Sequence, residues 1–139
     1  EASSVSEFVD SAMPAFELIE DRGADYSNLD PLSLIADNAW CGGIVIGSPL
    51  KSWRDVDLAN QPAKLSYNGE VEYTNTSAAM GNPLNSLAWL ATLLAEQGRS
   101  LKAGDIVMSG STLATKFANK GDRACYEVEG IGAVEVSIE

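Results

Sequence analysis

The chain predicts an α+β fold. Short apolar segments bounded by turn residues outnumber the helical stretches. One longer stretch, 83–97, places apolar residues at helical spacing. Asn68-Gly69, the strongest short hairpin signal, separates two alternating segments. Together these describe a curved, mixed sheet or roll with one long helix and two short ones.

Ser4-Val5-Ser6-Glu7 has capping-box spacing and predicts a short opening helix with Phe8, Val9 and Met13 turned inward. Pro14 ends it, and 15–19 is an apolar strand. The polar segment 21–29 is a loop. Asp30-Pro31 combines an N-cap with proline at the first helical position, so 31–39 is a second short helix. Gly42-Gly43 breaks that helix and opens a continuous apolar strand, 43–47. Alternation over 63–67 and 70–74 makes the two arms of the Asn68-Gly69 hairpin. The long helix follows, with Leu84, Leu87, Ala88, Leu90, Ala91, Leu93 and Leu94 on one face and Gly98 as its stop. A strand at 106–108 leaves the Lys102-Ala103-Gly104-Asp105 turn. After the Gly121-Asp122 turn, strands 124–128 and 133–138 close the chain through Gly130-Ile131-Gly132.

The chain's 139 residues form one domain with enough apolar content to bury a core. A formal charge of -11 and nine scattered basic residues argue against a nucleic-acid or membrane-surface partner. No apolar run reaches membrane-spanning length, and no secretory signal is visible, so a cytoplasmic location is expected. Cys41 and Cys125 lack metal-type spacing and read as reduced, buried thiols. With no histidine, Ser-His-Asp and Cys-His catalysis within the chain are excluded.

Glu17 is the residue that asks for chemistry. A carboxylate in an apolar strand is costly unless a cation, an arginine such as Arg22 or a proton accompanies it. Without histidine, a metal there takes oxygen ligands, which favours Mg, Ca or Mn. In an extended strand Asp21 shares the face of Glu17, while Glu20 points away. Gly110-Ser111-Thr112 follows the 106–108 strand and can offer backbone N–H groups to a carboxylate. Trp89 reads as packing, and Lys102 and Lys120 as surface residues.

Several segments resemble, in this order, the C-terminal region of the fumarylacetoacetate hydrolase superfamily, in its 2-keto-4-pentenoate hydratase and 4-oxalocrotonate decarboxylase branch. They are Pro14-Ala15-Phe16-Glu17-Leu18-Ile19-Glu20-Asp21-Arg22, Ala36-Asp37-Asn38-Ala39 with Gly42-Gly43, Gly81-Asn82-Pro83-Leu84-Asn85-Ser86-Leu87-Ala88-Trp89-Leu90, 101–111 and Gly130-Ile131-Gly132-Ala133-Val134. The resemblance spans nearly the whole chain. It implies a mixed β-roll or sandwich and a Mg- or Mn-dependent lyase acting on 2-oxo acids, by hydration of 2-hydroxydienoates or decarboxylation of 2-oxo dicarboxylates. In that family the cation chelates the 2-oxo acid and stabilises the enolate.

Carried onto this sequence, the resemblance makes Glu17 a metal ligand, with Asp21 in support. Asp37 and Ser111 become catalytic candidates. Asn38, Trp40, Cys41, Ser111 and Thr112 become substrate-binding candidates. The departures are specific. Nothing here matches the family's Glu-x-Glu metal pair, or the N-terminal region with its proton-transfer lysine and aspartate. Trp40-Cys41 replaces two small hydroxyl residues, and Gly81-Asn82-Pro83 replaces Gly-His-Pro. Low cation occupancy is therefore expected. The second reading is an inactive small-molecule-binding or assembly module that keeps the fold. Either way, the resemblance implies self-association, most simply as a dimer.

Overall fold

The computed structural model describes residues Glu1–Glu139. Six strands form two sheets. β1 (Ala15–Ile19) pairs with β2 (Cys41–Ile46) in a two-stranded sheet. β3 (Pro62–Tyr67), β4 (Glu70–Asn75), β5 (Arg123–Val128) and β6 (Gly132–Ser137) form a four-stranded sheet in the order β4-β3-β5-β6. Every pairing is antiparallel, so the α+β class holds but the sheets are not mixed in strand direction.

The β3–β4 turn follows from its two residues. Asn68 and Gly69 both have positive φ, 51° and 91°, as a two-residue hairpin turn requires. Asp30 caps α2 (Pro31–Ala36), its carboxylate accepting from the Leu32 and Ser33 amides. Asn82 caps the 14-residue α3 (Pro83–Glu96) in the same way through the Leu84 amide. Gly98, at φ 68°, stops α3.

The core lies on the larger sheet, where Trp53, Ala63, Val128 and Ile131 pack together. Leu65 and Val134 are also buried. The Trp53 indole N–H donates to the Val9 carbonyl at 3.4 Å. Arg54 covers the Trp53 ring at 4.7 Å and donates to the carbonyls of Ser6 (2.9 Å) and Val9 (2.8 Å). One arginine thus pins the amino-terminal segment over the core tryptophan. The two sheets meet at Gly47, where a built Cβ would stand 2.6 Å from the Ala133 carbonyl oxygen. Phe16 and Tyr126 also meet across the junction, with centroids 6.3 Å apart.

Several elements depart from expectation. The first helix, α1 (Ala2–Val5), starts earlier, with Glu1 and Ser4 as its reciprocal caps. It runs into a 3-10 turn, Ser6–Phe8, too short to build an inward face, and Phe8 stays 86 % exposed. Residues 106–108 form no strand. No N–H from 106 to 120 finds a backbone acceptor. α2 stops at Ala36 because the residues after Asp37 leave the helical region. Trp89 is 62 % exposed and fills no core. Cys41 and Cys125 are free thiols but only half-buried. No helix is long and apolar enough to cross a membrane.

Candidate functional site

A cleft of about 1550 Å³ lies between β1, α3, the 99–118 segment and the inner face of the larger sheet. Glu17, Asp21, Trp40, Ser111 and Thr112 all line it, which brings five of the sequence candidates to one place. Glu17 itself is exposed, not buried as its apolar strand predicts. The reason is topological: a two-stranded sheet cannot cover both of its faces, so from Glu17 to Ile19 β1 is open. Glu17 has no ion-pair partner, and Arg22 pairs with Asp37 instead.

Asp21 does not continue the strand face of Glu17. β1 ends at Ile19 after a register shift, and Asp21 enters a tight turn. Its carboxylate accepts from the Gly23 amide (2.9 Å) and the Tyr26 hydroxyl (2.7 Å). The Tyr26 bond, then the Gly23 bond, hold the Asp21 carboxyl below its usual range. The same bond pushes the Tyr26 phenol up. Tyr26 in turn meets the Trp40 ring at 5.1 Å and the Phe117 ring at 6.5 Å.

Trp40 is held by an unusual stretch of backbone. Asn38, Ala39 and Trp40 are consecutive and all left-handed, at φ 50°, 48° and 62°. Each non-glycine residue in that region costs roughly 1–2 kcal/mol, less for asparagine. The turn is closed by the Trp40 amide donating to the Asp37 carbonyl (2.9 Å) and the Glu20 amide donating to the Trp40 carbonyl (2.8 Å). The Asn38 side-chain amide donates to the Cys41 carbonyl at 3.3 Å. Asn38 and Cys41 therefore build the turn and line neither this cleft nor the recess beside it. That recess, about 330 Å³, shares Asp21 and Trp40 with the cleft and has Asp37 in its wall.

Across the cleft, the Ser111 hydroxyl is spent on its own turn, donating to the Leu113 carbonyl (2.5 Å) and accepting from the Leu113 amide (3.3 Å). Thr112 is tied to the sheet. Its hydroxyl bonds the Tyr126 hydroxyl at 2.8 Å, and its carbonyl accepts from Thr74 at 2.7 Å. Burial raises the Tyr126 phenol, with the Thr112 bond opposing. The amides of Gly110, Ser111 and Thr112 have no partner within the chain.

The donor set falls short of a magnesium or manganese centre. Glu17 is one free carboxylate, Asp21 is committed to two donors, and no three carboxylate or thiol side chains converge anywhere. Six oxygens in an octahedron are not available from these residues, so by themselves they do not fit the ion. Tyr26 and Phe117 escaped the sequence reading. A lone tyrosine within the polar 21–29 loop was the available signal for the first.

Residues 3–139 match the family model for the fumarylacetoacetate (FAA) hydrolase C-terminal region. The chain is 35% identical over 136 residues to a 2-keto-4-pentenoate hydratase of Paraburkholderia xenovorans, covering 97% of this chain and 50% of that protein. It is 35% identical over 127 residues to a 4-oxalocrotonate decarboxylase of Pseudomonas putida, covering 91% and 48%. Among solved structures, 4-oxalocrotonate decarboxylase from Pseudomonas putida G7 complexed with magnesium and adipate superposes with a TM-score of 0.90 at 32% identity, over 100% of this chain and 53% of that one. The same enzyme complexed with calcium and acetate gives 0.87 at 33%, over 100% and 52%. The chain thus spans about half the length of the relatives it matches. With its fold, its ordered segments and nearly its whole length in agreement, the chain belongs to the fumarylacetoacetate hydrolase family, as a C-terminal region of the hydratase and decarboxylase branch.

Proposed function

We propose that this domain forms the 2-oxo-acid side of a divalent-cation-dependent lyase site, of the kind that hydrates 2-hydroxydienoates or decarboxylates 2-oxo dicarboxylates. One observation carries the reading. The unpaired amides of Gly110, Ser111 and Thr112 share a cleft with the unpaired carboxylate of Glu17. Amide donors suit a substrate carboxylate, and a free glutamate suits one position on a hard cation. A relative of the same fold is complexed with magnesium and adipate, a divalent cation and a carboxylate. In this reading Glu17 contributes one ligand, to Mg or Mn, of a centre whose other carboxylates are not among these residues. Ser111 acts through its backbone rather than as a proton carrier. Asp37, held by Arg22, is a positioning residue for the loop that bears Trp40.

The shortage of converging carboxylates favours the second reading, a binding or assembly module without turnover. In either case we place the protein in the cytoplasm as a homodimer, with Leu18, Ile19, Ile44 and Ile46 exposed on the two-stranded sheet. A mass equal to one chain by light scattering at micromolar concentration would remove the dimer.

Calorimetry with oxalate, a mimic of the chelating 2-oxo acid, tests the site in millimolar magnesium or manganese. Weak, cation-dependent oxalate binding is expected, as a single free carboxylate allows, and it should be lost in Glu17→Gln. Oxalate binding that ignores both the cation and the substitution would end the lyase reading and leave the module reading.

A further inference from the structure

Resting on the function proposed above, we infer that the Tyr26–Trp40–Phe117 wall selects the substrate's tail: a 2-oxo monocarboxylate ending in a flat apolar group, not a dicarboxylate.

The first observation is shape. Tyr26, Trp40 and Phe117 form a linked aromatic group, with centroids 5.1 Å and 6.5 Å apart about Tyr26. Phe117 is 74 % exposed and Tyr26 51 % exposed, and all three residues line the cleft. Aromatic faces open to a cleft gain from a planar unsaturated or aromatic partner. The Trp40 member is fixed in place, since three successive left-handed residues and the two backbone bonds at Asp37 and Glu20 set its position. Strain of this kind persists only where surrounding structure over-determines it, and it concentrates at ligand clamps.

The second observation is charge. The cations closest in sequence to this wall are already committed. Arg22 pairs with Asp37, and Lys116 pairs with Glu72. Asp21 stands at this wall, its carboxylate accepting from the Tyr26 hydroxyl at 2.7 Å, and it is in no ion pair. The lining cations that have no carboxylate partner, Arg99 and Lys102, belong to the segment leaving α3. A second carboxylate brought to the aromatic wall would meet the Asp21 charge, with both neighbouring cations already paired. An apolar tail meets no such penalty.

Calorimetric titration of the whole chain in millimolar magnesium tests this with three probes: oxalate, phenylpyruvate and 2-oxoadipate. Oxalate carries no tail and reports only the shared head-group site. Phenylpyruvate is expected to bind roughly tenfold more tightly than 2-oxoadipate. Trp40→Ser is expected to bring the two within about threefold of each other, and Trp40→Phe is expected to keep the preference. Oxalate binding accompanied by equal or tighter binding of 2-oxoadipate to the unaltered chain would overturn the inference alone, whether or not the variants fold. Loss of oxalate binding itself would overturn the proposed function and the inference with it.

Discussion

The two sheets of this molecule are built to different standards. The four-stranded sheet and the loops beside it hold Trp53, Ala63, Leu65, Val128, Ile131 and Val134, all buried. From Ala15 to Ile46, by contrast, no residue is buried, although that span contains two strands, a helix and most of the candidate site. Yet the second region is not loosely specified. Its geometry comes from hydrogen bonds to carboxylates and backbone: Asp30 on the α2 cap, Asp21 on Tyr26 and Gly23, Arg22 on Asp37. Apolar burial stabilises one half, and local polar contacts shape the other. Sites are commonly found where few apolar contacts oppose movement.

The contrast can be broken by experiment. Deleting the same kind of apolar bulk in each half should have unequal costs. Leu65→Ala on β3, at a position 5% exposed, should cost about 2–5 kcal/mol in urea unfolding, whereas Ile44→Ala on β2, 37% exposed, should cost about 0.5 kcal/mol. Equal costs would mean that both sheets share one core. The seam between them is sensitive at a single atom. Gly47→Ala should destabilise by about 1–3 kcal/mol, because its Cβ would press on the Ala133 carbonyl at 2.6 Å, and backbone cannot turn aside as a side chain does. An unchanged midpoint would show the sheets to be independent at that point. The smallest effect has the opposite sign. Ala39→Gly should stabilise the chain by up to about 1 kcal/mol, since glycine occupies φ 48° without strain. A loss of stability there would show that the Asn38-Ala39-Trp40 turn is not a strained one.

What could be read from the sequence was whatever neighbouring residues decide among themselves. Asn68-Gly69 makes its hairpin, Asp30-Pro31 starts its helix and Gly98 ends α3, because each signal and its outcome lie within a few residues. The failures are all non-local. Residues 106–108 have the composition of a strand but pair with no sheet edge. Glu17 looks buried only if its strand is taken to lie within a full sheet, whereas β1 has a single neighbour. Five candidate site residues did reach one cleft, because the ordered family resemblance encodes tertiary placement that periodicity does not. Asn38 and Cys41 sit in the turn rather than in the cleft lining for a reason invisible in composition: three successive positive φ values from Asn38 to Trp40.

The unpaired 106–120 stretch has a consequence for handling the protein. Its main chain is tethered to the rest chiefly by hydroxyl bonds, from Ser86 to the Ser109 carbonyl and from Thr74 to the Thr112 carbonyl, and residues 114–118 are exposed throughout. Trypsin should therefore nick first after Lys116. The two fragments should nevertheless stay together through gel filtration, because β3 on one side of the cut is laced to β5 on the other from Ala63–Val128 to Tyr67–Ala124.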